Sequence, residues 1–281
     1  MGRYRKREDR QYRKIRLRLI ILLVLAGLIL AAALLAPWIV PHDPYEPDVL
    51  HVKENPSFQF LLGTDRLGRD VLSRVLIGGR ITIFASLLLT AISFLIGTIL
   101  GVTAGYAGGI TDGIIMRITD ACLALPQMII AIAVAGVLGG SLKNAMFAIG
   151  VTSWTGYARV ARSHVLSEKE KNYISAARMS GRSSFFIICR HIIPNIIQPL
   201  IMNALTQIGI TMLGIAGLSF LGLGVVPPQA EWGSMINDGR AYLQLAPWAV
   251  IGPSAATVLT VIIFNLLGDA FIDYGNARRK S

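Results

Sequence analysis

Long runs without charged side chains constrain the fold of this chain more than any other feature. Six segments carry almost no charge, and most approach or exceed the ~20 residues that cross the hydrocarbon core of a membrane as a helix. These segments are residues 19–40, 81–106, 118–138, 142–158, 199–225 and 248–267. With 53% hydrophobic and 15% charged residues, the chain is too apolar for a water-soluble domain of 281 residues. We therefore predict an all-α, polytopic membrane protein with six transmembrane helices.

The first apolar run follows a strongly basic start. Residues 1–18 hold nine Lys or Arg side chains, a pattern that also begins secretory signals, but the apolar core of a signal is only ~7–15 residues long. The run 19–40 is longer, and its Pro37-Trp38 end is typical of a membrane interface rather than of a cleavage site. We expect a cytoplasmic tail at 1–18, lying against anionic lipid, and a first transmembrane helix at 19–40. Nucleic acid is a weaker interpretation of the tail, and we expect none as a partner.

Basic side chains are spread unevenly over the segments between the spans. Residues 41–79 hold four basic and six acidic side chains, whereas 157–195 hold seven basic and two acidic ones. Because basic residues accumulate on the cytoplasmic side of membrane loops, 41–79 is predicted to be extracytoplasmic and 157–195 cytoplasmic. The basic ending, assigned to a cytoplasmic tail at 273–281, agrees with this topology. Six spans then leave both termini on the cytoplasmic side.

Common motifs of enzymes and metal sites do not occur in the sequence. It contains no phosphate-binding loop, no His-Glu-x-x-His and no Gly-x-Ser-x-Gly, and its four histidines are scattered. Cys122 and Cys189 are interpreted as packing residues. We therefore expect no catalytic residue, no metal site and no cofactor in this chain. Any energy-consuming cycle would need an ATPase on another polypeptide, or else an ion gradient.

Two oppositely charged residues lie at the start of the third span. Arg117 and Asp120 are three residues apart, which places them on one face of a helix where they can neutralise each other. They are either a gate or relay, or a boundary pair near the headgroups, and the second interpretation is the commoner case. Pro126 is predicted to kink the span or to open its backbone.

The polar segment 168–195 interrupts the apolar chain between the fourth and fifth spans. Its beginning favours a helix, which Gly181 would end in the left-handed conformation. Ser183 can cap a second short helix, and Pro194 is predicted to stop it. A pair of adjacent alanines in the first helix would let another protein surface approach the backbone. On pattern alone, the segment is either a docking surface for a soluble partner or an amphipathic helix lying on lipid.

This segment resembles the Glu-Ala-Ala loop of ABC importer permeases, through which such permeases dock on a cytoplasmic ATPase subunit. The matching residues are Ser175, Ala176, Ala177, Arg178, Gly181 and Pro194. Two departures occur, because Ser175 stands where the family has glutamate and Ile193 where it commonly has leucine. The resemblance implies that these residues couple the chain to the ATPase.

Further motifs are similar to those of the oligopeptide, dipeptide and nickel importer group, specifically its second permease subunit. They include Leu62-Gly63-Thr64-Asp65, Gly68-Arg69-Asp70, Gly105-Tyr106-Ala107-Gly108-Gly109, Tyr157-Ala158-Arg159, Leu218-Ser219-Phe220-Leu221-Gly222, Trp232-Gly233 and Phe264-Asn265-Leu266-Leu267-Gly268-Asp269. The resemblance runs from about residue 15 to 270 and implies a type I ABC importer permease fold, with a permease domain at 80–272. It also implies a location in the cell membrane of a prokaryote.

The same resemblance implies the partners. They are a second permease subunit, two cytoplasmic ATPases that carry ATP and magnesium, and an extracytoplasmic solute-binding protein. Short peptides are the expected cargo, and nickel or a metal chelate is the alternative. An ion-driven secondary transporter or channel is the alternative from another class.

Two outer segments are candidates for contact with the binding protein. Residues 67–77 have apolar positions at helical spacing, which predicts a short amphipathic helix at the outer interface, capped by Asp65. Asp65, Arg69 and Asp70 would contact the binding protein, as would Trp232 in a later loop. Both segments could equally be structural, one leading into the second span and the other capping the bundle.

Three glycines in the second span, Gly97, Gly101 and Gly105, recur every four residues. This spacing allows membrane helices to approach each other closely. We expect packing within the chain's own bundle, with contact to a partner subunit as the alternative.

Overall fold

The computed structural model describes the backbone of residues 2–280 and the side chains of residues 13–277. This part of the chain is helical and forms no β-strand, apart from an isolated bridge between Thr64 and Asp70. The all-α prediction is therefore confirmed. Parts of the two predicted basic tails, the side chains of 1–12 and 278–281, lie outside the described residues.

The described backbone forms long and short α-helices, one 3-10 turn and one π-helical turn. In chain order they are α1 (Gly2–Ile39), the 3-10 turn Val49–His51, α2 (Val71–Ala107), α3 (Gly109–Leu123), α4 (Gln127–Leu138), α5 (Leu142–Lys169), α6 (Asn172–Met179), α7 (Ser184–Ile187), the π turn Ile188–Ile192, α8 (Ile193–Phe220), α9 (Trp232–Arg240) and α10 (Trp248–Lys280). The main packing partners are α2 with α5, α8 with α10, and α1 with α10.

Four helical stretches of the described chain are long and apolar enough to cross a membrane. They are Arg13–Ile39, Val71–Ala107, Ser184–Phe220 and Trp248–Ala277. A fifth crossing results if α3 and α4 together form one span. The fourth predicted span corresponds to α5, which is not among these stretches and carries polar or charged side chains along its whole length. A membrane protein with several spans is thus supported, whereas the count of six is not confirmed.

The break predicted at Pro126 is present. The axes of α3 and α4 differ by 82°, and the proline precedes the first residue of α4 with an extended backbone (ψ 129°). The cause is local, since a proline disfavours helical geometry in the residue before it and has no N–H to donate.

The separate interfacial helix predicted at 67–77 does not exist. α2 begins at Val71 and runs into the second span without interruption, because helical periodicity continues past residue 77. Its N-cap is Asp70, whose carboxylate accepts hydrogen bonds from the backbone N–H and the hydroxyl of Ser73 at 2.9 and 2.6 Å. Asp65 does not cap α2. Its carboxylate instead accepts two backbone hydrogen bonds in the preceding turn.

The glycines of α2 face α5, as expected for packing within the chain. A Cβ atom at Gly97 would lie 2.2 Å from the carbonyl oxygen of Trp154, and one at Gly101 would lie 2.3 Å from that of Ala158. One at Gly105 would come within 2.9 Å of a side-chain carbon of α5. The two backbones can therefore approach this closely only with glycine in α2.

The first helix packs against the last. Leu19, Leu22 and Ala26 of α1 form a buried cluster with residues of α10. Arg18 of α1 also lies 3.4 Å from the carboxylate of Asp273 near the end of α10. The beginning of α1 and the end of α10 therefore lie on the same side of the bundle.

Candidate functional site

The segment 168–195, called the coupling segment below, forms the predicted short helix. α6 spans Asn172–Met179 and ends at Gly181, whose φ of +72° lies in the left-handed region. The backbone N–H of Arg182 reaches back to the carbonyl of Ala177 at 3.3 Å, as in a helix end closed by a glycine. Ser183 caps α7 through a 3.3 Å hydrogen bond from the backbone N–H of Phe186. The predicted end of the first helix and start of the second therefore agree with the structure, whereas the first helix begins at Asn172 and not at Glu168, which belongs to α5.

Pro194 does not stop a helix, contrary to prediction. The chain stays helical from Ser184 to Phe220, with Pro194 in the first turn of α8. A π turn at Ile188–Ile192 precedes it, and the backbone N–H of Ile193 donates to the carbonyl of Ile188, five residues back. The π turn shifts the hydrogen-bond pattern directly before Pro194, and the chain continues as α8 although the proline has no N–H to donate.

The underside of the coupling segment is buried against the bundle. Ile174, Ile187 and Ile192 are at most 1% exposed and lie in one cluster with residues of α2, α5 and α8. Ala177 is half-buried against the same cluster. The short helix is therefore fixed to three long helices by apolar packing rather than lying loosely on lipid.

A buried carboxylate clamps the beginning of α6. Glu168, only 6% exposed, accepts hydrogen bonds from Lys171 Nζ at 2.6 Å and from the hydroxyl of Tyr173. The Tyr173 hydroxyl in turn accepts a hydrogen bond from Asn195 Nδ2 at 3.0 Å. We call these four side chains the clamp: Glu168, Lys171, Tyr173 and Asn195. The clamp connects the end of α5, the start of α6 and the first turn of α8.

The clamp sets the charge state of its members. Burial alone would raise the pKa of Glu168, but the hydrogen bonds from Lys171 and Tyr173 outweigh it and lower this pKa below its ordinary value. Burial and the adjacent Glu168 carboxylate raise the pKa of Tyr173 to about 12. At neutral pH the carboxylate is therefore ionised and the phenol keeps its proton, as the hydrogen bond between them requires.

Tyr173→Phe is expected to loosen α6 without changing its packing area. The substitution removes the hydrogen bond to the Glu168 carboxylate and the acceptor for Asn195, a loss of roughly 2 kcal/mol for a charged hydrogen bond. Local opening of α6 should then increase by up to about thirtyfold, as measured by the rate of trypsin cleavage after Arg178 and Arg182 in membrane vesicles. Ser175→Ala, an exposed change in the same helix, is the control. Equal cleavage rates in the two variants would show that the clamp does not hold α6.

The end of α2 also contacts the coupling segment. The Arg178 guanidinium lies over the Tyr106 ring at 5.2 Å, and Lys169 Nζ donates to the Tyr106 carbonyl at 2.7 Å. These contacts attach both ends of the segment 169–178 to α2.

The outer side of the coupling segment exposes both polar and apolar side chains, among them Arg178 and Arg182. We call four small or apolar members of this exposed set the coupling face: Ser175, Ala176, Met179 and Phe185. Met179 and Phe185 are 89% and 77% exposed, which is unusual for large apolar side chains outside a lipid environment. Of the two adjacent alanines, only Ala176 belongs to this face, since Ala177 packs underneath.

Arg117 and Asp120 do not pair with each other. No ion pair between them occurs among the side chains of residues 13–277. Asp120 Oδ1 instead accepts a 2.5 Å hydrogen bond from Arg159 Nη2 of α5. A second ion pair, from Arg162 to Asp112, also joins α5 to α3. Two ion pairs between helices have thus replaced the predicted pair within one helix.

The four residues expected to contact a binding protein are buried. Asp65, Arg69, Asp70 and Trp232 are each at most 5% exposed. Arg69 lies 2.7 Å and Arg74 3.6 Å from the Asp65 carboxylate. The Trp232 indole N–H donates to a backbone carbonyl of α2 at 2.8 Å. These side chains hold the outer loops together and offer no surface for a partner in this conformation.

No cluster of three or more potential metal ligands occurs among the described residues. Cys189 is exposed, Cys122 is partly buried, and neither forms a disulfide.

Comparison with known proteins shows which family the chain resembles. Residues 97–281 match the family described as "Binding-protein-dependent transport system inner membrane component". A probable D,D-dipeptide transport system permease protein of Escherichia coli is 41% identical over 89% of this chain and 84% of its own length. A di/tripeptide transport system permease protein of Pseudomonas aeruginosa is 38% identical over 90% and 86%. A glutathione transport system permease protein of Pectobacterium atrosepticum is 38% identical over 90% and 85%.

The fold also matches a solved structure. A chain of the inward-facing MetNI methionine ABC transporter superposes with a TM-score of 0.50 over 71% of this chain and 94% of its own length, at 18% identity. At that identity the match shows a similarity of fold only. Both the family match and the extent of the relatives' similarity lead to one conclusion: the chain belongs to the inner membrane components of binding-protein-dependent ABC transport systems.

Proposed function

We propose that this chain is a permease subunit of an ATP-driven importer of short peptides. In this proposal it pairs with a second, related permease, and an extracytoplasmic binding protein delivers the cargo. Two cytoplasmic ATPases, which bind ATP and Mg²⁺, dock on the coupling segments of the two permeases, with both termini of this chain on the same side. The names of the relatives, which refer to glutathione, D,D-dipeptides and di/tripeptides, support peptides as the cargo.

The observation that carries the proposal is the two-sided construction of the coupling segment. Its outer side exposes Met179 and Phe185, whereas its inner side is packed into α2, α5 and α8. A protein that binds the outer side can therefore move three long helices together. An amphipathic helix lying on lipid would instead have its apolar side in the membrane.

Other functions have less support. No observation favours nickel or a metal chelate as cargo, since the three relatives compared carry peptide names. An ion-driven transporter would act without an ATPase. Ion-driven uptake by this chain reconstituted alone would therefore overturn the proposal.

Ala176→Arg tests the coupling role. Position 176 is exposed, so the fold tolerates the larger side chain, but the coupling face then carries a bulky charge in place of a methyl group. In the complex purified through a tag on this chain and placed in liposomes, we expect peptide uptake and peptide-stimulated ATPase activity to fall at least about tenfold, equivalent to roughly 1.4 kcal/mol of lost interaction.

Asn276→Arg is the matched control for this test. It adds the same charge at an exposed position near the end of α10, which contributes no residue to the coupling face, and should leave both activities unchanged. Uptake that survives Ala176→Arg would show that the coupling face does not bind the ATPase. Retention of the ATPase during purification should separate the two variants in the same way.

A further inference from the structure

Five polar side chains lie along one side of the bundle and have no role in the coupling segment. They belong to α3, α4, α5 and α8, and we call them the polar face: Asp120, Gln127, Ser153, Arg159 and Gln207. Two hydrogen bonds connect them pairwise, from Arg159 to Asp120 at 2.5 Å and from Gln127 Nε2 to Ser153 Oγ at 2.9 Å. Gln207 lies beside Gly156, where an added Cβ would be 3.7 Å from its amide nitrogen.

The polar face lies on the side of α5 that α2 leaves uncovered. At 100° per residue, Gly156 and Arg159 project roughly 100–160° away from Ala158 and Ala161. Ala158 and Ala161 are fully buried, and they contact α2 at Gly101. Gly156, with Gln207 beside it, and Arg159 therefore face away from the main contact of α5, whereas Ser153, roughly 40° around the helix from Tyr157, lies at the edge of that contact.

The charges of the ion pair make contact with lipid tails costly. The side chains of Arg159 and Asp120 are 52% and 62% exposed. Arg159 precedes the end of α5 by ten residues, and the polar face extends from it towards the middle of α5 at Ser153. Exposed charges with polar neighbours face water, lipid headgroups or protein rather than hydrocarbon.

Water suits this pair better than a protein interface. A guanidinium has five N–H donors, and the Arg159 guanidinium uses one of them on a side chain within residues 13–277. A dry interface would leave the other donors unpaired at a cost of ~1–3 kcal/mol or more. By contrast, buried Arg69 and Arg74 lie against a carboxylate or backbone carbonyls.

We propose that the polar face lines a water-filled passage in the assembled transporter and that the Asp120–Arg159 pair binds the charged ends of the cargo there. The second part rests on the function proposed above, since a short peptide carries an ammonium and a carboxylate at its ends. The backbone amides of such a peptide can form hydrogen bonds with the side-chain amides of Gln127 and Gln207. The Arg159 guanidinium would take the carboxylate and Asp120 the ammonium.

Cysteine labelling in the assembled complex tests the passage. In a Cys122→Ser, Cys189→Ser background, Ser153→Cys is treated with a charged, membrane-impermeant methanethiosulfonate. Because only a hydrated thiol forms the reactive thiolate, we expect labelling to be roughly tenfold or more faster than for Leu259→Cys, an exposed position on the apolar side of α10. Equally slow labelling of both positions would overturn the passage.

Uptake measurements test the role of the ion pair. Arg159→Gln should raise the peptide concentration needed for half-maximal uptake by about tenfold, the effect of losing one charged contact of roughly 1.4 kcal/mol. Unchanged uptake kinetics in Arg159→Gln and Asp120→Asn, with Ser153→Cys still labelled, would contradict cargo binding by the pair. The labelling needs no cargo, so a wild-type complex that imports no peptide would contradict the proposed function and leave the labelling result standing.

Discussion

Asp65→Ala is expected to lower the free energy of unfolding by roughly 3–5 kcal/mol, the usual cost of removing one partner of a buried ion pair. The Asp65 side chain is 7% exposed, with Arg69 at 2.7 Å and Arg74 at 3.6 Å. Without the carboxylate, two guanidinium groups would remain buried beside each other. Its loss also removes two backbone hydrogen bonds from the turn before α2.

The effect of Asp65→Ala is measured as a change in the midpoint of thermal unfolding of the detergent-purified protein. Unfolding is monitored as the loss of the monodisperse peak in size-exclusion chromatography after heating. Glu46→Ala in the same outer segment removes an exposed carboxylate and should leave the midpoint unchanged. Equal midpoints for the two variants would show that the Asp65 cluster does not stabilise the fold.

Gly101→Leu is expected to be the second most damaging change, because it forces α2 and α5 apart. A Cβ at this position would lie 2.3 Å from the carbonyl oxygen of Ala158 and 2.8 Å from the Cβ of Ala161. A backbone atom cannot move aside as a flexible side chain can, so we expect a cost of about 3 kcal/mol, at the upper end for overpacked cores. The yield of monodisperse protein should fall accordingly.

Gly113→Leu provides the control for this change. Gly113 is also within a helix, but no atom lies within 4 Å of an added Cβ, so its variant should be recovered like the wild type. Gly101→Ala should fall between the two. Normal recovery of Gly101→Leu would mean that α2 and α5 do not pack as closely as this structure shows.

Patterns that act over a few residues could be predicted from the sequence. The break at Pro126, the end of α6 at Gly181 and the cap at Ser183 all follow from backbone geometry that one residue imposes on its neighbours. The glycine spacing of α2 was interpreted correctly for a similar reason, since small side chains permit close approach. Pro194 was interpreted wrongly because the same residue can either end a helix or begin one.

Contacts between distant residues could not be predicted. Asp120 has Arg117 three residues away, but its partner is Arg159, 39 residues further along. Nothing local distinguishes these two arginines, and only the packing of α3 on α5 selects one. Glu168 and Asn195 were likewise not predicted as parts of the clamp, since nothing local distinguishes Glu168 from Glu170 as the partner of Tyr173.

The helix from Ser184 to Phe220 joins the coupling segment to the bundle without a break in helical structure. Its 37 residues span about 55 Å at 1.5 Å per residue. The π turn Ile188–Ile192 and Pro199 lie within it, and helices bend at such features. A displacement at Phe185 would therefore reach the far end of the helix through bending points that lie in its first half.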